Sequence, residues 1–442
     1  MTTSLDLMRK RRFLPLFLTQ LLNALNDNLY KNAMVLFIVY QLYDSPEMET
    51  LISGVATALF VIPFVLFSAT SGQLADMRDK TKIIRWIKFA EIIIMIVGGI
   101  GLMMAARGVA VETVAIPLMF LALFAMGLHS TFFGPIKYAI LPQHLEEDEV
   151  LAGTGLVEAG TYVAILAGMI LSAIFTVEES TIAIIVFALI GYVVCRQVPP
   201  APAQCEDTKI DWNPIRASKD LIAFSFGNPE LRYSVLAISY FWAIAAILGT
   251  QFFPLAKNVL LADKQVAMVL LVAFSAGIAI GSVAINALLK GEISARHSAV
   301  SVLVMGVLLI TFYLECRMWN LTPAAGGLFS VPEFLEQPLA LVLIANLLLI
   351  AVAGGMFVVP LYAFLTTRVD KSEASRSVAA NNFVSCVFMA VGAGVAGVLG
   401  FFGIPLEEQL LLSLFLCIVS AQLSRKLYKV EQQRPAEVAA QI

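Results

Sequence analysis

The chain has 442 residues, of which 59% are hydrophobic and only 14% charged, against about 25% charged in a soluble globular chain. So few polar residues cannot cover a water-exposed surface, and a formal net charge of −3 argues against a nucleic-acid partner. Cys195, Cys205, Cys316, Cys386 and Cys417 show no metal-ligand spacing, His129, His144 and His297 do not cluster, and no HExxH motif occurs. The composition therefore implies a membrane protein, with no structural disulfide, metal site or cofactor expected.

A helix needs roughly 20 apolar residues to cross the hydrocarbon core. In chain order, such runs lie at 13–42, 50–74, 83–106, 114–141, 150–176, 180–196, 232–257, 265–289, 298–315, 338–366, 376–402 and 407–424. The first follows basic residues, as a signal peptide would, but it is too long and has no small-residue cleavage site, so it reads as a retained membrane helix. Lipid offers the backbone no hydrogen-bond partner, so each run is expected to be helical.

Lys and Arg concentrate on one side of this arrangement. Arg9 to Arg12, Arg78 to Arg85, Lys137, Arg196 to Arg232, Lys290 and Arg296, Arg368 to Arg376, and Arg425 to Arg434 fall on one set of segments. Arg107, Lys257, Lys264 and Arg317 fall on the other. The asymmetry places both termini in the cytoplasm. The stretch 197–231 begins Val-Pro-Pro-Ala-Pro and divides the helices six and six. It reads as a cytoplasmic linker between an N-terminal bundle (1–196) and a C-terminal bundle with a short tail (232–442). Within it, 215–226 has the pattern of a short amphipathic helix on the inner surface.

The turn after the second run reads Gly72-Gln-Leu-Ala-Asp76-Met-Arg78-Asp-Lys-Thr-Lys82. It resembles the GxLADrxGRr signature of the major facilitator superfamily, with Asp79 where glycine is usual. With the six-plus-six layout, the resemblance implies an all-α integral membrane protein of twelve transmembrane helices in two six-helix bundles. It also implies gating roles for Gly72, which permits close helix approach, and for Asp76 and Arg78.

The first helix carries the most informative polar set. Asn23, Asn26, Asp27, Tyr30 and Lys31 stand at offsets 0, 3, 4, 7 and 8 and share one helix face, flanked by Asn28 and Asn32. Asp27 and Lys31 are spaced to pair. An intramembrane charge costs from ~2.5 kcal/mol upward unless paired or wetted, and such residues usually line a path. Lys88 and Glu91 are spaced for a local pair, His129 suits a hydrogen-bonded packing role, and Glu158 needs a partner from another helix, Lys31 or Lys137. The intramembrane polar residues of the second half are neutral: Gln251, Asn346, Asn381 and Asn382. Gly277 and Gly281, and the cluster from Gly392 to Gly397, read as helix-packing sites. A charged half beside an apolar half suits an amphipathic substrate.

Three segments carry a finer resemblance: Gln20-Leu-Leu-Asn-Ala-Leu-Asn26-Asp27-Asn28-Leu-Tyr-Lys31-Asn32, Phe133-Gly-Pro-Ile-Lys137-Tyr-Ala-Ile-Leu-Pro142, and Gly155-Leu-Val-Glu158-Ala-Gly-Thr161. They resemble the bacterial lysophospholipid transporter (LplT-like) family over roughly residues 13–175. The resemblance implies a non-enzymatic protein of the bacterial inner membrane. It would move lysophospholipids, of the lysophosphatidylethanolamine or lysophosphatidylglycerol type, from outer to inner leaflet for re-acylation by a separate acyltransferase/acyl-carrier-protein synthetase. On that reading Asn23, Asn26, Asp27, Asn28, Lys31, Lys137, Glu158 and Gln251 meet the substrate within the bilayer by alternating access. Two other readings stand beside it: a proton-coupled exporter of amphipathic compounds using Asp27 and Glu158, and a membrane scaffold for an acyltransferase. The third segment lacks the Gly-Pro signature of drug/proton antiporters, and a scaffold has no need of mid-membrane charges.

Overall fold

The computed structural model describes residues 4–38, 42, 46–205, 210–321 and 327–440. Twelve long helices carry the fold among these residues: α1 Leu14–Phe37, α2 Pro46–Met77, α3 Lys80–Ala106, α4 Ile116–Ala139, α5 Glu147–Ile174, α6 Val177–Cys195, α7 Pro229–Asn258, α8 Lys264–Leu289, α9 Ser298–Met318, α10 Pro338–Thr367, α11 Ala374–Phe401 and α12 Leu406–Ala440. Eleven of them are long and apolar enough to cross a bilayer. The twelfth, α1, has 24 residues, long enough to span. Its asparagines, Asp27 and Lys31 make it the more polar.

Local chemistry sets the boundaries. Asp79 caps α3 by accepting from the Lys82 N–H. Glu146 with Glu149 starts α5, and Thr176 with Glu179 starts α6, each through a reciprocal capping box. Asn228 and Asp263 cap α7 and α8. The last run extends beyond its expected end at 424 to Ala440, because the tail is rich in Lys, Glu, Gln and Ala, which propagate a helix in water as well.

Contacts divide the chain into two units, Met1–Phe224 with Val369–Phe383, and Ser225–Arg368 with Val384–Ile442. In the first, α1 packs on α5 and α6, α2 on α4, and α3 on α4 and α6. In the second, α8 packs on α10, α9 on α10 and α12, and α7 on α12. The α8–α10 seam is backbone against backbone. A Cβ at Gly281 would lie 2.0 Å from the Val352 carbonyl oxygen, and one at Gly277 would lie 2.4 Å from that of Leu348, the close approach expected of GxxxG spacing. The other glycine cluster packs only in part: Gly392 meets Ala243, whereas Gly394 and Gly397 face open space. Large apolar side chains such as Ile182, Val193 and Val307 are bare on the outside, as lipid-facing surfaces are.

The stretch 215–226 lies within a helix, Pro214–Gly227. Its Ala217 and Leu221 bury against Ala69 of α2 and against Ala379 and Ala380 of α11. The Pro-rich start of the linker is an ordered strap. The Ala201 carbonyl accepts from the Lys80 N–H at 2.9 Å, and the Pro199 carbonyl accepts from the Thr81 hydroxyl at 2.6 Å. The N–H groups of Gln204 and Cys205 donate to the Asp76 carbonyl. His144, held below its ordinary pKa by burial, contacts the Pro200 carbonyl through Nε2 at 3.3 Å.

Candidate functional site

The polar face of α1 splits between two clusters in the first unit. Asn26 donates to Glu91 Oε1 of α3 at 2.9 Å and to the Ile184 carbonyl of α6 at 3.1 Å. Glu91 pairs with Lys88 one turn earlier, and His129 Nε2 of α4 stands 3.5 Å from the same carboxylate. All four side chains are buried. The local Lys88–Glu91 pair expected from spacing thus forms, and it also ties α1, α3, α4 and α6 together.

The second cluster surrounds Asp27. Its Oδ2 accepts from Asn23 Nδ2 at 3.2 Å and from the Ser130 hydroxyl of α4. The Asp27–Lys31 pair permitted by spacing does not form. Lys31 Nζ lies 5.9 Å from the Phe60 ring centroid instead, and the aspartate takes neutral donors. Glu158 on α5 receives its hydrogen bond from the Tyr138 hydroxyl of α4. Of the two lysines expected near it, Lys137 stands beside this donor, its Nζ 4.7 Å from the Tyr138 ring centroid. Ser130, Gly134, Lys137 and Tyr138 stand at offsets 0, 4, 7 and 8 on α4 and share a face. Thr161 of α5 donates to Gln20 Oε1 of α1 at 3.0 Å. Among the described residues, Asp27 Oδ1 and Asn23 Oδ1 are buried without a hydrogen-bond partner. Such groups cost free energy when dry, so this cluster has unused acceptor capacity.

Other expected site residues lie elsewhere. Asn28 donates to the Ala24 carbonyl of its own helix at 2.8 Å. Gln251 belongs to the second unit, where its Nε2 donates to Gln409 Oε1 at 3.0 Å. Sequence reasoning gave neither Ser130 nor Tyr138 a role in the site, although their period on α4 is a signal for both. It also passed over Glu315 on α9, which accepts from Asn346 Nδ2 at 3.0 Å.

At the end of α2, the Asp76 carboxylate accepts from the backbone N–H groups of Ser375 and Arg376 at 3.0 and 3.1 Å. Those are first-turn donors of α11 with no partner inside the helix. Gly72, one turn earlier, permits this approach: a Cβ there would stand 2.7 Å from that of Ala379. Arg78 is exposed and donates to the carbonyl of adjacent Met77.

Residues 16–393 match the family model of the Major Facilitator Superfamily. The chain belongs to that superfamily. This member is similar to the lysophospholipid transporter LplT of Escherichia coli strains, including O1:K1 and K12, with 26% identity over 398 residues, 87% of this chain and 88% of the relative. Among solved structures, a bacterial homologue of the iron transporter ferroportin in an outward-facing state superimposes with a TM-score of 0.75 at 12% identity, covering 95% of this chain and all of that one. The human organic anion transporter MFSD10 (TETRAN) superimposes with a TM-score of 0.72 at 13% identity, covering 94% of this chain and 99% of that one. At such identities these two support the fold alone. The superfamily chain is a multi-pass membrane transporter built from two helical bundles.

Proposed function

We propose that the protein carries lysophospholipids between the leaflets of a bacterial inner membrane, from the outer to the inner one, by alternating access. The observation that carries this reading is the cluster of buried Asn23, Asp27, Ser130, Tyr138 and Glu158 with half-buried Lys137 across α1, α4 and α5. It contains both signs of charge and unsatisfied acceptors within a mostly apolar bundle. The likeness to LplT adds the lipid class. Lys137 and Lys31 are assigned to the phosphate. Asp27 and Glu158 orient those lysines or receive an ammonium, and the single acyl chain lies against apolar helix surface. Gln251 is assigned a contact from the second unit. The residues named supply binding and orientation, and a separate acyltransferase/acyl-carrier-protein synthetase would re-acylate the product.

Gating is assigned to the Gly72–Asp76 end of α2. Each cycle must break the two hydrogen bonds from α11 to Asp76 and restore them. Arg78, bonded to its own backbone carbonyl, contributes surface charge to this turn.

Movement of a labelled lysophospholipid in proteoliposomes tests the reading. The double variant Asp27→Ala, Glu158→Ala should lose transport by about a hundredfold, the scale of two charged contacts at roughly 1.5 kcal/mol each. Full transport by that variant removes both residues from the mechanism. The two buried carboxylates also suit a proton-coupled exporter of amphipathic compounds, and efflux of a dye driven by a pH gradient, with no lysophospholipid movement, would replace the first reading by this one.

A further inference from the structure

α3 carries a second stripe, rotated about a third of a turn from the buried Lys88–Glu91 face. Ile96, Gly99, Ile100, Met103 and Arg107 stand at offsets 0, 3, 4, 7 and 11 and line one groove, with Thr181 of α6 opposite. Ile96 and Ile100 are 41% and 49% exposed, so the groove opens on the outside of the bundle. Gly99 brings the helices together at its floor, since a Cβ there would lie 2.9 Å from Thr181 Cγ2.

The length is that of a lipid chain. From Ile96 to Arg107 the helix rises ~16 Å at 1.5 Å per residue, close to one leaflet of a hydrocarbon core of ~30 Å. The groove is open on one side, has a volume of about 460 Å³ and is lined mostly by aliphatic and thioether side chains, which a chain of carbon atoms would meet at contact distances near 4 Å.

The charges stand at one end. Arg107 is exposed, and among the described residues it has no ion-pair partner. On the charge asymmetry of the sequence it is the first unit's basic residue on the outer side. Glu178 is also exposed. It lies three residues before Thr181, on the face of α6 that lines the groove. A cation and an anion at headgroup depth, above an apolar groove, complement a zwitterionic headgroup.

We propose that this groove binds one phospholipid of the outer leaflet with a phosphoethanolamine-type headgroup: one acyl chain along the α3 stripe, the phosphate at Arg107 and the ammonium at Glu178. The second chain remains in the bilayer, so a diacyl lipid fits, and its abundance in the membrane favours it over a single-chain lipid by mass action. The groove is separate from the Asp27 cluster, so the proposal stands or falls independently of the transported substrate.

The test is native mass spectrometry of delipidated full-length protein in detergent, titrated with dioleoyl phosphatidylethanolamine or dioleoyl phosphatidylglycerol. The wild type should take up one phosphatidylethanolamine in preference to phosphatidylglycerol. Arg107→Gln, a surface change that leaves packing intact, should weaken this about tenfold, the scale of one charge-assisted contact. Ile100→Trp, which fills the slot from its exposed side, should weaken it similarly. Glu178→Gln should weaken phosphatidylethanolamine and leave phosphatidylglycerol unchanged. Uptake that is unaltered by both Arg107→Gln and Ile100→Trp, a preference for phosphatidylglycerol, or indifference to Glu178→Gln overturns the assignment.

Discussion

Replacing Lys88 by methionine should lower the stability of the protein in detergent by roughly 3–5 kcal/mol, the cost of leaving a buried charge without its partner. Glu91 would keep only His129 at 3.5 Å and the amide of Asn26. The pair joins α3 to α1 and α4 through one carboxylate, and through Asn26 to α6, so the loss should appear as a lower thermal unfolding midpoint of the whole first unit. The double variant Lys88→Met, Glu91→Gln should recover most of that loss. A neutral amide at 91 still accepts from Asn26 and no longer needs a cation. A single variant as stable as the wild type would show that the pair is dispensable to the fold.

Asp76→Ala should release the first turn of α11. The aspartate accepts from two N–H groups at 3.0 and 3.1 Å, and a helix cap of this kind contributes about 1–2 kcal/mol. Its charge at a helix N-terminus adds to that. Amide exchange of Ser375 and Arg376, read by hydrogen–deuterium mass spectrometry, should accelerate by about tenfold or more. Asp76→Asn, which keeps one carbonyl acceptor, should fall between the two. Unchanged exchange in the alanine variant would show that the cap does not hold this turn. The strap over the α2–α3 turn should remain in place, because it bonds to the main-chain carbonyl of Asp76 rather than to its side chain.

These predictions draw on parts of the molecule that differ in legibility. The helices could be read from the sequence because a bilayer crossing requires a long apolar run and excludes other backbone structures. The α1 face was legible for the same reason, since Asn23, Asn26, Asp27 and Tyr30 fall at helical period and all four are buried. Partner choice was not. Spacing permits Asp27 to reach Lys31, yet the carboxylate bonds to Ser130 on another helix and to Asn23 one turn back. Which neighbour supplies a donor depends on how α1 packs on α4, and no local period records that. Tyr138 was passed over as the donor to Glu158 for the same reason. The strap at 199–205 left still less trace, because its contacts are mainly backbone carbonyls and N–H groups that any residue possesses.

Transport as proposed requires the α1, α4 and α5 cluster to receive a lipid headgroup, and photolabelling addresses that point directly. A lysophospholipid with a photoreactive group on its headgroup should crosslink to peptides containing Asp27, Lys137 or Glu158, and excess unlabelled lysophospholipid should suppress the labelling. Labelling confined to other helices, or labelling of these peptides that unlabelled lysophospholipid does not reduce, would contradict it.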